Sequence, residues 1–296
     1  MKASLIVLAA SLVPAAFSKL LVNYTGGQPV EELGIVELEA QDLGDRLSIA
    51  SAGDEVYIRP VFDDKTNRPA LRFHRDSHFR RAEVRSLAGE IQPNKTYYIG
   101  YSLRVPKMRD HLVLFQWKKL DKFAAPRQNI PIHLFFSGED QLALEYTTPG
   151  STGSNRTTYW AGNFSTGHDA SFIHNIGMAI NTNTDGTGWA ELFVDGRAQV
   201  RLEGASLFTG TTFPKFGIYR AEASSEKAIT VSGSQYEFDS FVYRVQIADG
   251  GWHEVADSAG LSDEVIALLD ALSPPSASST SRQRNPSTSA KWSVIV

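Results

Sequence analysis

From about position 33 to position 247, apolar and polar residues alternate in short runs rich in Val, Ile, Phe, Tyr and Trp, with Gly, Asn, Asp and Pro between them. A period of two belongs to a strand with one buried face, and no stretch of this region keeps the period of a helix. Tyr97 to Val105, Leu112 to Lys118, Ile130 to Phe136 and Ala190 to Gly196 each predict a strand. Ser137-Gly138-Glu139-Asp140 and Asp185-Gly186-Thr187-Gly188 supply turn chemistry between such runs. So many strands without a helix between them predict an all-β chain folded as a two-sheet antiparallel sandwich. The first helical period is Ser262 to Leu272, with Ser262 as N-cap and Val265, Leu268, Leu269 and Leu272 on one face. It is expected to pack outside the sandwich or to cap one end.

The two ends of the chain read differently from its middle. Lys2 followed by the apolar run Leu5 to Phe17 and small residues near Ala15 and Ala16 reads as an export signal over 1–18. The expected domain then covers 19–257 and the short helix 258–273. Positions 274–296 are dominated by Ser, Thr, Pro, Arg and Asn and predict a disordered tail, because too little apolar surface is present to offset the entropy of ordering. No run reaches the roughly 18 apolar residues of a transmembrane helix. The expectation is a secreted, unanchored protein, and Asn-x-Ser/Thr sequons at Asn23, Asn94, Asn155 and Asn163 suit a eukaryotic secretory route.

Composition narrows the partners. The 296 residues include no cysteine, so the core alone must hold the fold. A formal net charge of -4 argues against nucleic acid and anionic membranes, while a local basic patch remains free to bind an anion. Nothing in the pattern calls for an oligomer, and a monomer is expected.

Three strands carry candidate chemistry. In Arg81-Ala82-Glu83-Val84-Arg85 the alternation puts Arg81, Glu83 and Arg85 on one face and Ala82 and Val84 on the other. In Phe115-Gln116-Trp117-Lys118 it sets Gln116 and Lys118 opposite Phe115 and Trp117. In Phe213 to Tyr219 it sets Lys215 and Tyr219 opposite Phe216 and Ile218.

These segments, in this order, resemble the Arg-(Ser/Thr)-Glu-Leu-Arg, Gln-(Ile/Val)-His and Tyr-x-Lys-x-Gly-x-Tyr strands of jelly-roll alginate lyases. Over roughly residues 35 to 247 the best match is the related group of fungal glucuronan lyases, polysaccharide lyase family 20. The segment from Ser171 to Gly196 resembles a strand and hairpin widespread in concanavalin-like jelly rolls. The resemblance implies a concanavalin-like β-jelly roll and a lyase acting on an acidic polysaccharide. Lys118 stands where alginate lyases carry histidine, and Phe213 replaces the first tyrosine of the third strand. Both departures weaken an alginate assignment, and the Lys118 departure moves the expected substrate towards β-1,4-glucuronan, with polymannuronate as the alternative.

Lyase chemistry explains the choice of side chains. β-Elimination removes the proton on C5 of a uronate, and the carboxylate on that carbon resists further negative charge. Donors must neutralise it, and the enzyme must supply a base for the C5 proton and an acid for the departing O4. Arg81, Gln116 and Lys118 suit neutralisation. Tyr219 suits proton transfer once neighbouring cations lower its pKa. Where the C5 hydrogen and O4 lie on one side of the ring, as in glucuronan and mannuronan, one tyrosine can serve as base and acid. A histidine is the other candidate base, with His78 and His74 ranked ahead of His133 because they immediately precede the Arg81 strand. Arg85, Lys215, His74, Glu83 and Lys118 are assigned to substrate binding, Glu83 as an orienter of the arginines and Lys215 as a support of the cleft or a substrate contact.

The chemistry needs no cofactor. Related jelly rolls often hold a structural calcium, for which Asp239 is a candidate ligand. Two other functions compete: a non-catalytic carbohydrate-binding jelly roll, and a glycoside hydrolase using Glu237 and Asp239 as its carboxylate pair.

Overall fold

The computed structural model describes residues 20–42, 57–75, 79–120, 128–150, 155–164, 171–220 and 237–272. The expected export signal and the expected C-terminal tail lie outside the described residues, as does His78.

Two antiparallel sheets face each other, as the alternation predicts. The seven-stranded sheet runs in the order β10 (Arg156–Asn163), β9 (Gln141–Thr147), β8 (Ile132–Phe136), β7 (Val113–Leu120), β14 (Thr211–Tyr219), β5 (Phe79–Ser86) and β2 (Ile35–Asp42). The eight-stranded sheet runs β13 (Arg197–Glu203), β12 (Trp189–Val194), β11 (His174–Asn181), β6 (Thr96–Arg104), β15 (Phe238–Ala248), β4 (Arg68–Arg75) and β3 (Ile58–Asp63). β1 (Leu20–Thr25) adds to the second half of β15. Both predicted turns fall between paired strands, β8 with β9 and β11 with β12.

The core fills the space between the sheets. Phe115, Trp117, Phe216, Ile218, Ala82 and Val84 come from one side, and Tyr97, Ile99, Tyr101, Leu103, Leu71, Phe73 and Val242 from the other. These are the apolar faces that the alternation picks out in the three chemistry-bearing strands. Tyr101 packs edge-on against Phe216 with ring centroids 5.1 Å apart. The Trp117 indole N–H donates to the Leu207 carbonyl at 2.7 Å, which satisfies the polar atom of a fully buried ring.

Two short helices, α1 (Ala256–Ala259) and α2 (Asp263–Leu272), pack on the outside of the eight-stranded sheet against Phe193, Ala179 and Trp252. The Ser262 hydroxyl accepts from the Val265 N–H at 3.4 Å, the cap position expected. The buried stripe differs from the expected one. Ile266 is its centre, Val265 and Leu269 flank it, and Leu268 and Leu272 point to solvent. The helix meets the sheet along its 262–266–269 line, so an apolar stripe read from leucines alone is rotated from the true contact.

One glycine positions the site. β14 keeps unbroken register with β5 from Lys215 to Tyr219, while its pairing with β7 slips between Phe216 and Tyr219, leaving one extra residue on β14. Gly217 sits in that bulge at φ 127°, and a Cβ there would stand 2.3 Å from the Ala82 carbonyl oxygen. The bulge is what carries Tyr219 to the level of Val113. Gly217→Ala is therefore expected to lower stability by roughly 2–3 kcal/mol or more and to displace Tyr219. Urea unfolding together with the activity of the soluble fraction checks both effects.

Candidate active site

The face of the seven-stranded sheet that points away from the core collects the predicted residues. Register places Arg85 beside Lys215, Lys215 beside Gln116, Gln116 beside His133, and His133 beside Glu145 in one row across five strands. A second row places Arg81 beside Tyr219, Tyr219 beside Val113, and Val113 beside Phe135. Directly opposed residues share a face, so both rows present their side chains together.

Glu83 organises the first row. Its Oε1 accepts from Gln116 Nε2 at 2.6 Å, and its Oε2 accepts from Lys215 Nζ at 2.6 Å and from an Arg81 terminal nitrogen at 3.3 Å. One carboxylate thus fixes donors from three strands. Its hydrogen bond uses one of the two amide hydrogens of Gln116. The Arg81 guanidinium carbon lies 4.7 Å from the centroid of the Tyr219 ring, and that of Arg85 lies 5.3 Å from the Phe213 ring. Lys118 is opposite Phe213 in register and shares the face.

Burial sorts these residues into two depths. Lys215 is fully buried, and Glu83 and Gln116 are each 2% exposed, so all three lie beneath their partly exposed neighbours. Such depth suits the orienting role expected of Glu83 and a supporting role for Lys215. Charged groups at such depth are stable only when paired, and each is the other's partner. Arg81, Tyr219 and Lys118 are partly exposed and can touch a ligand.

His74 is not with them. It projects from the outer face of the eight-stranded sheet, where its Nδ1 lies 2.9 Å from Asp239 Oδ1, and Arg72 Nε donates to that oxygen at 2.7 Å. The segment linking β4 to β5 carries the chain from one sheet to the other, so closeness in sequence to Arg81 did not bring closeness in space. Burial alone would raise the Asp239 carboxyl, but hydrogen bonds from His74 and Arg72 outweigh it and hold the group below the ordinary carboxylate range. A carboxylate engaged by two basic side chains does not fit a calcium ligand. Among the described residues, no three His, Cys, Asp or Glu side chains cluster as a metal site. The Glu237 and Asp239 pair considered for hydrolysis also lies away from Gln116 and Tyr219.

The histidine that does share the face is His133, which the sequence reading ranks below His78 and His74. It is 4% exposed, and its Nδ1 is buried without a hydrogen-bond partner. Burial first, then the charge of Arg156 and the nearness of His111, depress its pKa to about 3, so the ring is neutral near pH 7. Its Nε2 lies 3.5 Å from Glu145 Oε1, too far for a good hydrogen bond and, with a neutral ring, no ion pair. Burial raises the Glu145 pKa, with Arg156 and His111 acting against it. Strand alternation puts this group on the outer face, since Ile132, Leu134 and Phe136 face the core and leave His133 and Phe135 outward.

The shift of His133 has a measurable consequence. With its folded pKa below the unfolded value of about 6.5, the unfolded chain binds more protons between the two values. Stability is therefore lost as pH falls below about 6.5. Glu145, whose pKa is raised, acts in the opposite sense, but only where carboxylates titrate. Urea midpoints between pH 7 and pH 5 are expected to fall for the wild type and to fall less for His133→Gln.

The sequence matches the family model for polysaccharide lyases over residues 52–240. No curated protein matches the chain. Among solved structures, the chain is similar to the endo-β-1,4-glucuronan lyase of the fungus Trichoderma reesei. The TM-score is 0.53 at 14% identity, covering 75% of this chain and 98% of that one. It is similar also to a double-cysteine variant of alginate lyase A1-II′, with a TM-score of 0.52 at 13% identity, covering 74% and 96%. At those identities the likeness is one of fold, and the fold is the jelly roll expected from the three strands. With its family match spanning more than half of its length, the chain belongs to the polysaccharide lyase family and is a lyase.

Proposed function

We propose that this protein is exported and cleaves a 1,4-linked uronan, β-1,4-glucuronan before polymannuronate, by β-elimination. The observation that carries the reading is Glu83, whose single carboxylate holds Gln116, Lys215 and Arg81 beside Tyr219 on one face. Donors fixed before substrate arrives do not have to reorganise as charge develops, which is what stabilisation of an enolate-like intermediate requires.

In the proposed reaction the substrate carboxylate lies against Gln116 and Arg81, with Lys118 and Arg85 adding positive charge nearby. The deprotonated oxygen of Tyr219 takes the C5 proton. The electron pair of that bond forms C4=C5 as the C4–O4 bond breaks, and Tyr219 returns the proton to O4. The Arg81 guanidinium lies against the Tyr219 ring. Val113, Phe135 and Ala143 form an apolar strip next to Tyr219 against which a sugar ring can rest. His133 and Glu145 extend the row beyond Gln116 and suit contact with the neighbouring sugar.

Glucuronate and mannuronate differ at C2, away from the reacting atoms, so the preference for glucuronan rests on Lys118 in place of histidine. The test is to incubate the protein with glucuronan, polymannuronate, polyguluronate and a heparin-like chain while following ultraviolet absorbance of the unsaturated product. Absorbance rising fastest on glucuronan is expected. No rise with any uronan would sink the proposal.

A further inference from the structure

The eight-stranded sheet has a cleft of its own. It measures about 640 Å³, the size of a small-ligand site, and lies on the outer face of that sheet, on the opposite side of the sandwich from Gln116 and Tyr219. Its floor is Ser102 of β6 and Tyr243 of β15, with Asn175 beside them, and its walls are Arg68, Arg244 and Phe172.

The floor is held rigidly. The Tyr243 hydroxyl donates to Asp63, which also takes two hydrogen bonds from Arg104, at 2.7 and 2.8 Å. The Tyr243 oxygen also accepts from Arg104 Nε at 3.3 Å and from the Thr66 hydroxyl at 3.2 Å, so it is fully engaged, and the polar groups the floor offers a ligand are the Ser102 hydroxyl and the Asn175 amide. The walls are less fully engaged. Arg244 is paired with Asp257, yet its Nε is buried without a hydrogen-bond partner. Arg68 is exposed and forms no ion pair among the described residues. Phe172 is 49% exposed, and its ring is fixed edge-on against His174 at 4.6 Å.

An open aromatic face, two guanidinium groups with a single carboxylate between them, and a hydroxyl and amide floor make a recognisable combination. Sugar C–H groups stack on the ring, hydroxyls bond to the floor, and a carboxylate pairs with arginine. We infer that this cleft is a second, non-catalytic site for an acidic oligosaccharide, a distant stretch of the same uronan whose reacting unit lies on the seven-stranded sheet. The inference rests on the uronan-lyase reading. A polymer held at both faces raises its own effective concentration at the catalytic one, whereas a fragment of a few sugars cannot reach both.

The test compares the parent with Arg68→Ala/Phe172→Ala, two exposed positions whose loss leaves the core intact. In a Tyr219→Phe background, calorimetric titration with glucuronan oligomers is expected to show two classes of site, and one after the double substitution. With Tyr219 restored, the double variant is expected to degrade dilute glucuronan roughly fivefold or more slowly. Turnover of tetrasaccharides should be unchanged. Two classes of site surviving the substitution, or unchanged rates on polymer, would overturn the second site, and equal binding of cellohexaose there would overturn its acidic-sugar assignment. If the parent made no unsaturated product from any uronan while its binding still depended on Arg68 and Phe172, the lyase reading would fail and the second site would stand.

Discussion

Tyr219→Phe is expected to lower turnover of the preferred uronan by about 10³-fold, inside the roughly 10²–10⁴-fold range of a lost proton-transfer group, with little change in binding. Only the phenol oxygen is removed. The ring still packs against Val113, Phe135 and Ala143, and Arg81 still lies over its face. Gln116 remains anchored by Glu83, so the groups that receive the substrate carboxylate stay where they are. Rate and affinity should therefore separate, with kcat falling and the dissociation constant for oligosaccharide holding within about threefold. Steady-state assays paired with calorimetry on the same preparation check this. If kcat stayed within tenfold of wild type, Tyr219 would not be the base, and His78 and His133 would become the candidates to substitute next. If binding fell in parallel with kcat, the hydroxyl would be a substrate contact instead of a proton carrier.

Much of this site can be read along the chain, because a strand sorts its residues by a rule that depends on nothing distant. Ala82, Val84, Phe115, Trp117, Phe216 and Ile218 enter the core, and Arg81, Glu83, Gln116 and Tyr219 turn outward, as period two requires. Pairing between strands is a different matter. That Lys215 stands between Arg85 and Gln116 follows from β14 lying between β5 and β7, although 90 residues of sequence separate β7 from β14. The same non-local order brings His133 beside Gln116, and the crossing between β4 and β5 takes His74 to the other sheet. Depth was equally hidden. Lys215 and Glu83 look from their alternation like surface cations and acids, and only the packed structure reveals that they are a buried pair.

That buried pair yields the largest expected effect on stability. In Glu83→Gln the side chain keeps its shape and an oxygen for Gln116, but Lys215, fully buried, loses its counter-charge. Removing one member of such a pair costs about 3–5 kcal/mol, because the remaining charge is left in a medium that solvates it poorly. For a domain of this size that corresponds to a fall in melting temperature of roughly 10 °C. Activity should fall as well, by about 10²-fold at a temperature where the variant is folded, since Arg81 also loses the Glu83 carboxylate and the donor array loosens. The two effects can be separated with Glu83→Gln/Lys215→Met. Removing the stranded cation and replacing it with an apolar chain of similar length should recover most of the stability, as buried ion pairs are often no better than apolar residues of similar volume. It should not recover turnover, because the Glu83 carboxylate that joins Arg81 to Gln116 is still missing. Thermal unfolding and product absorbance on the three proteins decide the matter. A single variant as stable as wild type would show that Lys215 is held by other partners. A double variant with restored activity would show that Glu83 serves only to neutralise Lys215, and the array beside Tyr219 would then owe its order to the sheet alone.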